Sequence, residues 1–223
     1  MRYATSDSQK TSTQTASGLS AQAHKVLRNT YLLLALTLAF SALTAMYAMA
    51  SGLQLNIFVL LVGVYGLMFL THKLANSAWG LLSVFAFTGF MGLTLGPVLN
   101  MYLGAGMGDL VFTALSMTAL VFFGLSAFAL VTKKDFSFMS KFLLVGGLVL
   151  LGGVIANLFL GLSGVHLALS AGFVIFSSAL ILFQTSAIVH GGETNYINAT
   201  VTLFVSIYNL FLSLLSLLGM SRD

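Results

Sequence analysis

The chain has 223 residues, 58% hydrophobic and only 6% charged, with a net charge of +4 and no cysteine. Soluble domains carry about a quarter charged residues, so a water-soluble fold is excluded. Without cysteine there is no disulfide, thiolate metal centre or cysteine nucleophile, and so thin a positive charge points to no nucleic-acid partner.

Residues 1–28 are rich in Ser, Thr, Gln and Ala and hold no apolar run, so they read as a flexible polar tail. No apolar core follows closely behind Met1, so the first span is expected to insert as an uncleaved anchor. From there on the chain is a string of seven apolar stretches, at roughly 31–50, 53–71, 79–103, 109–131, 142–162, 165–189 and 199–219. Each is near the about 20 residues a helix needs to cross a bilayer. The runs lack the alternation of a barrel strand, so their backbone groups must pair within helices. The fold class is therefore an all-α polytopic membrane protein, a seven-helix bundle over residues 29–223 with connections too short for a second domain. Its first partner is the lipid bilayer.

Eight of the nine basic residues fall on one side of this zigzag: Arg2, Lys10, Lys25 and Arg28 in the tail, Lys73 after the second span, and Lys133, Lys134 and Lys141 after the fourth. Arg222 stands alone on the other side. Basic loops stay cytoplasmic, which predicts a cytoplasmic N-terminus and a periplasmic C-terminus.

In the third span, Gly92 and Gly96 four residues apart, followed by Pro97, predict close helix contact and a kink. Asp109 opens the fourth span, where its charge suits a helix N-terminus. In the fifth span, Gly146, Gly147, Gly152 and Gly153 predict tight backbone approach. The string Gly161-Leu162-Ser163-Gly164 matches the GxSG of rhomboid-type intramembrane proteases. Its downstream His190 lies a full span away, about 40 Å at 1.5 Å per residue, and cannot serve that serine as base. His166 is nearer but has no evident group to orient it. The chain therefore does not read as an enzyme.

The sixth span carries Ser163, Ser170, Ser177 and Gln184 at intervals of seven, and the turn after it reads His190, Gly191, Gly192, Glu193, with the glycines ending the helix. The seventh span holds one continuous polar stripe: Asn195, Asn198, Thr202, Ser206, Asn209, Ser213 and Ser216. Such a stripe packs inside the bundle, faces a watery cavity or forms a partner surface. The short loop makes these helices antiparallel neighbours, so Gln184 is expected to bond Ser206 or Asn209. No span has a charge at its middle, the usual mark of an ion path.

The segment FQTSAIVHGGETNYINATVTLFVSIYNLFLSLLSLLG, with HKVLRNTYLLLALTLAFSALTA, YGLMFLTHK, FAFTGFMGLTLGPVLN and GMGDL before it, resembles the Bax-inhibitor (TMBIM) family over nearly everything after the tail. The resemblance, strongest to a bacterial member, implies an inner-membrane protein that needs no cofactor and that binds and restrains FtsH, the membrane-anchored ATP-dependent protease. It leaves the oligomeric state open. Other members are proposed to leak calcium through a pH-sensitive pore closed by two aspartates. Those positions match Gln184 and Ser206 here, so both carboxylates are missing, as is a membrane-embedded arginine to partner them. An amide facing a hydroxyl cannot titrate, so the family's pH sensor is expected to be inoperative.

Overall fold

Residues 20–222 are described by the computed structural model, which places seven helices in them: α1 (Ala21–Ser51), α2 (Ile57–Leu74), α3 (Gly80–Gly104), α4 (Gly108–Thr132), α5 (Met139–Leu160), α6 (Ser163–Val189) and α7 (Tyr196–Met220). All seven are long and apolar enough to span a bilayer, and the described residues form no strand. Side-chain caps set several boundaries. The Ser20 hydroxyl accepts from Ala23 N–H, Asn56 from Phe58 N–H, and Asn195 from the N–H groups of Ile197 and Asn198.

The first boundary differs from expectation. α1 begins at Ala21, so residues 21–28 are helix rather than tail, and the remaining tail residues, 1–19, lie outside the described part. Val26 is the reason: it is buried against Ile188 and Ala199, which extends the helix beyond its membrane-spanning length.

Four contacts establish the zigzag. Val26 meets Ile188, Asn195 reaches the carbonyl of Ala75, and His190 reaches that of Lys133, gathering the starts of α1 and α7 with the ends of α2, α4 and α6. Every basic residue described except Arg222 belongs to this basic end. At the far end Arg222 pairs with both carboxylate oxygens of Asp109 at 2.8 Å, an exposed ion pair across α7 and α4.

α7 is the centre of the bundle: it packs on α1, α2, α3, α4 and α6, missing only α5. Its apolar face supplies Phe204, Leu203, Leu210 and Leu215 to a core shared with Val84 and Phe87 of α3 and Ile181 of α6. α2 and α5 are peripheral. Thr71 is the one buried residue of α2 and Leu143 that of α5, so most of their apolar surface is left for lipid.

The α1–α3 seam shows what Gly92 and Gly96 do. A Cβ at Gly92 would strike the Ser41 carbonyl and the Thr44 hydroxyl, and one at Gly96 would lie 2.5 Å from the Ala48 Cβ. Bare backbone lets the helices close, and the Thr44 hydroxyl then reaches the Gly89 carbonyl at 2.9 Å. α3 continues through Pro97 without a break. The expected backbone approach in α5 is corrected. Gly147 admits the Phe176 ring and Gly153 the Leu169 side chain, whereas Gly152 faces open space. The α5–α6 seam is thus made of side-chain knobs seated in glycine notches.

Candidate functional site

The polar groups of α6 and α7 form two sites, split near the middle of the bundle. In the basic half, Gln184 and Ser206 are both buried, at 6% and 0% exposure. They do not bond as expected. Ser206 Oγ donates to the Thr202 carbonyl on its own helix at 2.7 Å, while Gln184 Nε2 is buried without a partner. A helical serine finds its own preceding turn at no entropic cost, and this local bond outcompetes the interhelical one. Ser177 Oγ on α6 and Asn198 Oδ1 on α7 are likewise buried and unpartnered. The two positions that the resemblance matches to the family's sensor are therefore interior, and neither an amide nor a serine hydroxyl titrates there.

In the far half, the rest of the stripe lines a cleft. Asn209, Ser213 and Ser216 of α7 join Asn157 of α5 and His166 and Ser170 of α6 around a cavity of about 280 Å³. Ser170 Oγ donates to Ser216 Oγ at 3.2 Å, and His166 Nε2 lies 3.0 Å from the same oxygen. So His166, which the sequence left without an orienting group, has one on α7. Asn157 Oδ1 is buried with no partner, and the Asn209 and Ser213 side chains make no hydrogen bond among the described residues. Asn157 belongs to no sequence pattern. Its signal was simply that it is the single amide of α5 and the one polar side chain in that helix after Lys141.

The turn at the basic end is a clasp. Gly191, at φ 76°, supplies the left-handed bend, and the N–H groups of Gly192 and Glu193 donate to the Ala187 carbonyl at 2.8 and 3.1 Å. The His190 ring lies between two carbonyls, with Nδ1 2.9 Å from Ser186 O and Nε2 3.1 Å from Lys133 O. Ser186 Oγ donates to the Lys134 carbonyl and accepts from Phe136 N–H, so α6 holds the whole α4–α5 loop. In that loop the Ser137 N–H, donating to Asp135, holds this exposed carboxyl below its usual range. This bond supports the loop above the ordinary carboxyl pKa and is lost as pH falls through the lowered one.

On the other side of the turn, Glu193 Oε1 accepts from Asn195 N–H, and the Asn195 amide donates to Ala75 O at 3.1 Å and to Asn76 Oδ1 at 2.7 Å. One turn thus ties together two loops that the sequence separates widely. Asn195→Ala removes cap and bridge together and is expected to cost about 1–2 kcal/mol. Asn195→Asp keeps the cap oxygen and loses the donor, so its melting midpoint in detergent should fall between those of the parent and the alanine variant. An aspartate variant no more stable than alanine would show that the bridge alone matters.

Among the described residues no group of His, Asp and Glu could hold a metal. What the geometry defines is a seven-helix membrane bundle whose central, last helix carries buried polar groups along its length, clasped at its basic end by a glycine turn.

The profile described as "Inhibitor of apoptosis-promoting Bax1" matches residues 23–223. The chain belongs to this Bax-inhibitor family. It is 64% identical over 198 residues to an uncharacterised protein of Pseudomonas aeruginosa, covering 88% of this chain and 89% of that one. It is 59% identical over 202 residues to the modulator of FtsH protease YccA of Escherichia coli K12, covering 90% and 92%. An uncharacterised membrane protein of Vibrio cholerae is 45% identical over 205 residues, covering 91% and 92%.

Proposed function

We propose that this chain is a non-enzymatic regulator of the inner membrane that binds FtsH and restrains it, with its N-terminus and basic end in the cytoplasm. The observation that carries this reading is the 59% identity to the Escherichia coli modulator of that protease across 90% of the chain. The orientation rests on the basic residues, of which all the described ones except Arg222 belong to one end of the bundle.

A physical route to restraint follows. An ATP-driven protease starts pulling on a loose polar segment, and the polar composition of residues 1–19 suits that use. Behind it stands a bundle locked at the α1–α3 seam and at the His190 to Asn195 turn, which resists extraction. A substrate easily engaged and slowly unfolded occupies the machine. In cells overproducing this chain, a known membrane substrate of FtsH is expected to decay more slowly, and the two proteins should co-purify from detergent. Unchanged decay without association would overturn the reading.

A second reading, a cation leak of the kind proposed for other family members, is favoured by the buried unpartnered atoms of Ser177, Gln184 and Asn198 along the α6–α7 seam. They are polar groups that water could satisfy. With no carboxylate at Gln184 and Ser206, ion flux through liposomes holding the parent is expected to vary little with pH. Gln184→Asp combined with Ser206→Asp should introduce a steep dependence, because it puts two titratable carboxylates where the parent has an amide and a hydroxyl that carry no ionisable proton. A parent whose flux already switches steeply with pH would refute this use of the two positions.

A further inference from the structure

We propose that the far-half trough between α5 and α7 seats a transmembrane helix of the partner, and that Asn157, Asn209 and Ser213 bond a neutral polar side chain on it. The inference rests on the regulatory reading above and supplies what that reading lacks, a contact surface within the membrane.

The shape comes first. α5 and α7 both pack on α6 and make no contact with each other, so they wall a trough with α6 as its floor. Two helices held apart on a third leave a groove of the kind that a further helix covers. The cavity of about 280 Å³ has room for side chains rather than for a helix, so the partner lies along the mouth and inserts into it.

The chemistry comes second. Asn157 lies about one turn from the far end of α5, Ser213 about two turns and Asn209 about three turns from the far end of α7, which places all three at or below the edge of the hydrocarbon. Ser213 is only 8% exposed and makes no hydrogen bond, and Asn157 Oδ1 is buried and unpartnered. Lipid tails satisfy neither. Helices in lipid associate through small residues and interhelical hydrogen bonds, and this trough offers both. No Lys, Arg, Asp or Glu lines it, and its one histidine, His166, is already engaged with Ser216, so the inserted side chain is neutral: an amide or a hydroxyl.

The contrast with the basic half of the stripe supports the assignment. There Ser206 is sealed at 0% exposure and bonded to its own helix, so it has nothing to offer a partner. α2 and α4 also present wide apolar faces, including Phe58 at 74% and Phe112 at 73% exposure, but neither face lines the trough.

The test uses the full chain in native membranes. A photoreactive benzoylphenylalanine at Val154 or Leu212, on the trough walls, is expected to crosslink to FtsH, and the same residue at Phe58 or Phe112 is not. Asn157→Leu and Asn209→Leu should each lower the co-purified protease about threefold, and together about eightfold, with melting in detergent kept near the parent's. Crosslinks only at Phe58 or Phe112, crosslinks from the walls only to a second copy of this chain, or leucine variants with the parent's recovery would overturn the trough while leaving the regulatory reading intact. Ser213→Cys would be the chain's sole cysteine. Its labelling from the far side by a membrane-impermeant maleimide, undiminished when FtsH is co-produced, would show a water-filled entrance and also overturn the proposal. Failure of the parent itself to co-purify would instead sink the regulatory reading on which the trough rests.

Discussion

Gly92→Leu is expected to lower the melting midpoint in detergent more than any other single change considered, and to reduce the amount of folded protein in the membrane. A Cβ at this position already collides with the Ser41 carbonyl, a backbone atom that cannot rotate away. Accommodating a whole leucine therefore means moving α1 off α3. Overpacking of a close-packed site costs about 1–3 kcal/mol, and here the separation also breaks the bond from Thr44 to the Gly89 carbonyl. α1 on α3 is a major seam of the bundle, with Leu33, Leu34, Phe87 and Met91 buried at or beside it. Gly66→Leu is the control, since nothing lies within 4 Å of a Cβ there and lipid welcomes the side chain. Equal melting of the two variants would show that α1 and α3 do not approach at Gly92.

Deletion of residues 2–19 is expected to lengthen the protein's own lifetime severalfold in cells that contain FtsH, while leaving the bundle folded. The boundary matters. Removing everything to residue 28, as composition alone would suggest, takes away Val26 and unseats the contact with Ile188 and Ala199 at the clasp. A deletion ending at residue 19 keeps Ser20, whose hydroxyl caps α1. If the shorter chain is stable to melting yet turned over as fast as the parent, the tail is not the handle. Should its turnover slow while a second substrate remains protected, handle and restraint are separable, and the trough on α5 and α7 becomes the main contact.

How far the sequence reached is clearest in α7. Its polar stripe from Asn195 to Ser216 was legible as a stripe because 3.6 residues per turn put those positions on one face. Where it would point was not legible. Ser206 turned back on its own carbonyl, Asn195 bridged to the α2–α3 loop, and Ser216 met His166 and Ser170. None of these partners is visible in hydropathy, since each lies on another segment or depends on a rotamer. Gly92 and Gly96 were legible as contact residues, but Gly146, Gly147, Gly152 and Gly153 look the same in sequence and behave differently.

By itself the sequence determined the number of spans, their limits to within a few residues for six of the seven, the segregation of basic residues to one end and the family. These follow from local, additive quantities: transfer of each side chain into hydrocarbon, and the cost of carrying charge across it. Only the tertiary structure decided that α7 is central and α2 and α5 peripheral, that α1 starts at Ala21, and that Ser206 of the stripe is sealed while Asn209, Ser213 and Ser216 line a trough. In lipid every apolar span is equally at home, so burial does not choose neighbours. Shape and hydrogen bonds between residues distant in the chain do.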